Sequence, residues 1–177
     1  MFRVSDWYDD IWKIVICREK KEPEASLEKI IRRGLAIAAA HEIDGYYAGA
    51  AAYDAWANYV ANPAYDTMGD DQLREKFWFH HALVGNHAEA RCYLGNFLHE
   101  SAGGDKALHK IADLYNQIHD TCWQLWAATD GWNNPEAYKA LRDKTKRENA
   151  ATLIREIEKL DFAAVEGLTL WLAKTDV

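Results

Sequence analysis

Between Asp70 and Glu100 the chain carries no proline, and at 100° per residue Leu73, Phe77, His80, Val84, His87, Arg91, Leu94 and Leu98 share a stripe about 100° wide. The spacing predicts one long helix whose packing face holds two histidines and an arginine where apolar side chains belong. A second apolar stripe (Phe79, Leu83, Ala90, Tyr93, Phe97) and a small-residue stripe (Gly85, Ala88, Cys92, Gly95) flank it. A helix apolar around most of its circumference is expected at the centre of a bundle, with neighbours on several sides.

The flanking segments read as further helices. Ser26 is a suitable N-cap for a helix from Leu27 to about Ala40, with Leu27, Ile30, Ile31, Leu35 and Ala38 on one face. Gly45 is expected to stop it in a left-handed conformation, and a second helix from Tyr46 to about Ala61 carries Tyr46, Tyr53, Trp56 and Val60. After Gly103-Gly104, Asp105 caps a helix to about Thr129 with Leu108, Ile111, Tyr115, Ile118, His119, Cys122 and Trp126 in one stripe. Asn134-Pro135 opens a fifth helix. Apolar spacing from Asn149 to Lys174 predicts one or two closing helices, with a break near Asp161. The fold expected is therefore all-α: a bundle of five to six helices around a long central helix, occupying residues 23–177, with connections as short as those of antiparallel neighbours. Residues 1–22 differ. Trp12 to Cys17 is β-rich, and the segment is expected to be an extended arm or a remnant strand that pairs outside the chain, in a homodimer or with a partner domain.

Composition narrows the functional classes. The chain is 177 residues long, 49% hydrophobic and 28% charged, an ordinary globular balance. Its formal net charge of -7 speaks against nucleic acid and anionic membranes as partners, since no basic field faces their phosphates. The cluster Lys139, Arg142, Lys144, Lys146 and Arg147 is interleaved with acids and reads as a solvated helix face. Three cysteines (Cys17, Cys92, Cys122) without CxxC spacing suit free thiols in a reducing cytoplasm, and no signal peptide or bilayer-spanning run appears.

Local catalytic spacings are absent. His41-Glu42 begins like HExxH, but Gly45 stands where the second histidine belongs, and no histidine has the pair spacing of zinc hydrolases or di-iron bundles. No metal, cofactor or catalytic residue is assigned, although distant His80, His87 and His119 could meet in space. GxSxG, GxGxxG and P-loop patterns do not occur. Cys122 shares a face with His119, and Cys92 follows Arg91, but a cysteine in a helix stripe is more often a small buried hydrophobe than a nucleophile.

The strongest chemical signal is His80, His87 and Arg91 within an apolar stripe. A buried guanidinium needs an acceptor, and Glu42, Asp44, Glu89 and Glu100 are the in-chain candidates. Two arrangements would supply it. One is a satisfied core network with tyrosine hydroxyls. The other is a cavity lined by Tyr46, Tyr53, His80, His87, Arg91, Tyr115 and His119 that takes a small, anionic or polar ligand. An enzyme using a histidine general base in that cavity is an alternative. So is a structural or oligomerising protein that uses the small-residue stripe.

The run Asp44-Gly45-Tyr46-Tyr47-Ala48-Gly49, then Ala52-Tyr53-Asp54-Ala55-Trp56, His80, Val84-Gly85, Ala88-Glu89 and Arg91-Cys92-Tyr93 resembles the helical C-terminal half of bacterial proteins related to butirosin biosynthesis protein H. The resemblance covers roughly Asp6 to Leu98 through loose helical motifs. Those proteins resemble papain-like, C39-peptidase-like enzymes with a catalytic cysteine in an N-terminal α/β domain. This sequence has no such domain, so none of the catalytic residues is carried over. The resemblance implies a stand-alone accessory domain or a fragment, with Trp12 to Cys17 as the last strand of the missing sheet.

Overall fold

The computed structural model describes residues 26–131 and 134–175. Five α-helices dominate: α1 (Leu27–Ala38), α2 (Gly49–Val60), α3 (Asp70–Ala102), α4 (Lys106–Ala128) and α5 (Lys144–Thr175). Two 3-10 segments, Pro63–Asp66 and Ala137–Arg142, lie in the connections before α3 and α5. The all-α bundle expected from the spacing is what forms. The strand expected over Trp12 to Cys17, and Cys17 itself, lie outside the described residues.

Side-chain caps set several boundaries. Ser26 Oγ accepts from Lys29 N, and Asp105 Oδ1 accepts from Ala107 N and Leu108 N at 2.8 and 3.2 Å. Asn134 Oδ1 accepts from Glu136 N, but no helix opens at Pro135: the 3-10 segment starts at Ala137, behind Glu136 and without a side-chain cap. The closing helix starts earlier than its apolar spacing suggests, because Asp143 Oδ1 accepts from Thr145 N and Lys146 N. It then runs unbroken through Asp161 to Thr175.

The segment after α1 also departs from expectation. In place of a helix starting at Tyr46, Glu42–Ile43 (β1) and Tyr46–Tyr47 (β2) pair antiparallel, Glu42 opposite Tyr47 and Ile43 opposite Tyr46. Asp44 and Gly45 both have positive φ, 52° and 84°, as a two-residue hairpin whose twist matches its strands requires. Gly45 is thus left-handed, but in a hairpin and not at a helix end. Gly49 then opens α2 with φ 52°, and a Cβ there would lie 2.4 Å from Ala38 O and 2.8 Å from Ala40 O. Only glycine lets α2 start against the end of α1.

The long α3 packs chiefly along α4 and also meets the second 3-10 segment; α4 packs in turn along α5, and α5 reaches α1, α2 and that same segment. The stripe Leu73, His80, Val84 and Leu98 is buried as expected. The flanking stripe is split: Phe97 packs against the core, whereas Phe79 is 55% and Tyr93 72% exposed. Helix α4 covers one face of α3, and α2 and α5 meet it through Trp56, Tyr53 and Asp161, which leaves the edge carrying these two rings in water. The small-residue stripe serves α3–α4 contact within the chain. A Cβ on Gly95 would meet Asn116 Oδ1 at 2.6 Å and Ala112 O at 3.2 Å.

The basic cluster is a solvated face at Lys139 and Lys144, but not at Arg147. Arg147 is 3% exposed, donating to Asp66 Oδ1 and Leu141 O at 2.7 Å each, so it ties the two 3-10 segments together. Arg142 donates to Met68 O and Asp70, and Lys146 pairs with Asp130.

Candidate functional site

Helices α1, α2, α3 and α5, with the hairpin and Tyr115 of α4, surround a cavity of about 660 Å³. Its walls are mostly aliphatic and aromatic: Ile30, Ile31 and Leu35 from α1, Ala52 and Trp56 from α2, Leu83, Leu94 and Phe97 from α3, Phe162, Val165 and Leu168 from α5. Ile37, Ile43, Tyr46, Tyr47 and Phe162 line it while remaining exposed, so an apolar rim opens to solvent. The size is ordinary for a small-molecule site.

One polar cluster interrupts this wall. Asp161 Oδ2 accepts from the Tyr53 hydroxyl at 2.7 Å and from Arg91 Nη2 at 2.8 Å. Tyr53 Oη also lies 3.1 Å from His87 Nε2. Because the single hydroxyl proton goes to the carboxylate, His87 Nε2 is the donor in that contact, which makes neutral His87 the Nε2–H tautomer. The guanidinium of Arg91 stands 5.8 Å from the centroid of the Tyr115 ring. Arg91 Nε is buried with no partner among the described residues.

Burial governs the protonation states. It pushes His87 down to about 4, reinforced by the Arg91 charge and opposed by Asp161. It pushes Tyr115 up to about 12 and Tyr53 upward as well, with the Asp161 carboxylate adding to both shifts. For Arg91, desolvation is the largest influence and works against the charge, but the Asp161 carboxylate and the Tyr53 hydroxyl together outweigh it and the guanidinium stays ionised. At neutral pH the cluster is therefore an internally neutral ion pair beside two phenols and a neutral imidazole.

Of the residues expected around a cavity, Tyr53, His87, Arg91 and Tyr115 come together on its wall, and Tyr46 stands on the rim at 78% exposure. His80 does not line it. It is fully buried in the core, where Nδ1 accepts from Trp56 Nε1 at 3.2 Å and burial pushes it down to about 3. His119 also lies elsewhere, contacting Asp120 and accepting from Trp123 Nε1 at 2.8 Å. Buried Cys122 is pushed up to about 12 by desolvation, which leaves it a thiol and no nucleophile.

The acceptor for Arg91 is Asp161, not Glu42, Asp44, Glu89 or Glu100. A signal for it exists in the sequence. Ile154, Ile157, Asp161, Ala164 and Leu168 follow 3–4 spacing, so Asp161 is a lone acid inside a buried stripe, the counterpart of Arg91 in α3. Compared with family models, curated proteins and solved structures, the chain matches none, and the likeness to butirosin biosynthesis protein H-related proteins rests on its motifs alone.

Proposed function

We propose that the chain is a binding module for a small apolar molecule that ends in a neutral polar group. The observation that carries this reading is the 660 Å³ apolar cavity with a single hydrogen-bonded cluster in its wall. The apolar body of the ligand packs on Ile31, Leu35, Leu83, Phe97 and Val165. Its polar end meets Arg91 and Asp161, one a donor and the other an acceptor. An anion is the poorer fit, because Asp161 already neutralises Arg91 and would repel it. A general-base role for His87 is also less well supported, since a group titrating near 4 is a weak base at neutral pH.

The neutral dye Nile red tests the reading. Its fluorescence rises on saturable binding to the wild-type chain and not to Ala52→Phe, which fills the cavity, provided circular dichroism shows that the variant is folded. Equal fluorescence from both proteins would refute it. Uptake only after removal of residues 1–25 would also refute it, by assigning the cavity to the chain's own N-terminal segment.

A further inference from the structure

The turn between α3 and α4 holds a second constellation, which shares no residue with the cavity. His99, in the last turn of α3, meets His109, in the first turn of α4, with the two Nδ1 atoms 2.8 Å apart. His109 Nε2 is 3.1 Å from the Gly103 carbonyl oxygen. A carbonyl only accepts, so that nitrogen carries a proton. His99 Nε2 faces Asp113 Oδ1 at 3.2 Å, and a carboxylate likewise favours a proton on the nitrogen opposite it. With both outer nitrogens protonated, two neutral rings would direct lone pairs at each other across 2.8 Å. That contact is repulsive unless a cation sits between them, either a proton shared as an N–H···N hydrogen bond or a metal ion.

Imidazoles that bind metals characteristically donate their other N–H to a carboxylate or a backbone carbonyl, which fixes the tautomer and aims the free lone pair. Here both outer partners are in place and both inner nitrogens converge. We propose that His99 and His109 bind a divalent first-row transition metal of the zinc type through their two Nδ1 atoms. Zinc–nitrogen bonds of about 2.0–2.1 Å at a tetrahedral angle would hold the nitrogens about 3.3 Å apart. The rings must therefore open by roughly half an ångström, which two half-buried side chains beside the Gly103-Gly104 turn can accommodate. Among the described residues no three His, Cys, Asp or Glu side chains converge on one point, so water completes the coordination and the site is open. Neither helix has the local spacing of a metal motif; the turn between α3 and α4 brings the pair together across ten residues.

Zinc chloride titrated calorimetrically into the full-length chain is expected to bind at one ion per chain. His99→Gln and His109→Gln should each weaken that binding at least tenfold, whereas His119→Gln should leave it unchanged. Long-range ¹H–¹⁵N spectra of the histidine rings should place the zinc-induced shift on Nδ1 of His99 and His109. No uptake by the wild-type chain would overturn the proposal, as would binding that survives either substitution in a folded variant.

Discussion

Replacing Asp161 with alanine removes the one oxygen that accepts from both the Tyr53 hydroxyl and the Arg91 guanidinium. The Arg91 and Asp161 side chains keep 23% and 13% of their exposure, so the pair is mostly but not wholly desolvated. Stranding one charge of a fully buried pair costs about 3–5 kcal/mol, whereas an exposed pair contributes about 0–1 kcal/mol. The residual contact with water places the loss at about 2–3 kcal/mol, with the orphaned Tyr53 hydroxyl inside that figure. For a chain of this length each kcal/mol moves Tm by about 2–4 °C, so thermal unfolding should fall by about 5–10 °C. The decisive comparison is the double variant Asp161→Ala/Arg91→Met. Removing both charges leaves no stranded ion, and the double variant should regain at least about 1 kcal/mol over Asp161→Ala in urea unfolding. A single variant within about 0.5 kcal/mol of wild type, or two losses that simply add, would refute the argument that this pair is desolvated and coupled.

Other consequences are as specific. Gly49→Ala combines a positive φ with a Cβ 2.4 Å from a backbone oxygen and should cost about 2 kcal/mol or more. Gly34→Ala, in the exposed middle of α1 with open space around it, should gain about 0.5–1 kcal/mol; urea midpoints measure both. His80 and His87 titrate near 3 and 4 when folded but near 6.5 when unfolded, so between these values the unfolded chain binds more protons. Stability is then fully present above about pH 6.5 and falls with acidification at up to about 1.4 kcal/mol per pH unit for each histidine. Chemical unfolding at about pH 7.5, 6 and 5 reads the slope, and a flat profile would contradict the burial of both rings. Arg147→Ala should lower stability by about 2–4 kcal/mol by stranding Leu141 O and freeing the two 3-10 segments, whereas a change within about 0.5 kcal/mol would mean that Arg147 is solvated after all.

Much of this architecture was legible in the residue pattern, because 3.6-residue periodicity and capping side chains are local signals. The long α3, the Asp105 cap and the burial of His80 beside Leu73 and Val84 arise from them. Which apolar stripe finds a partner is not local. Phe79 and Tyr93 carry as much apolar surface as residues in the core, yet both stay mostly in water, even though the Tyr59 ring lies 5.6 Å from that of Phe79. The hairpin at Asp44-Gly45 was hidden by length, since two-residue strands show no alternation to read. Arg91 and Asp161 stand out as polar intruders in apolar stripes, but their pairing joins positions 70 residues apart and belongs to the packing of α3 near α5. Arg147 was masked by its charged neighbours. A run of mixed charges looks solvated unless one knows that a carbonyl and a carboxylate wait beneath it.

On the proposed function, the cavity takes an apolar body whose neutral polar end meets the Arg91–Asp161 pair. Methyl NMR of the full-length chain, titrated with dodecanol and separately with dodecanoate, tests it most directly. Saturable shifts confined to Ile31, Leu35, Leu83 and Val165, at least tenfold tighter for the alcohol than for the carboxylate, are expected. Shifts scattered over the surface, or tighter binding of the carboxylate, would contradict it.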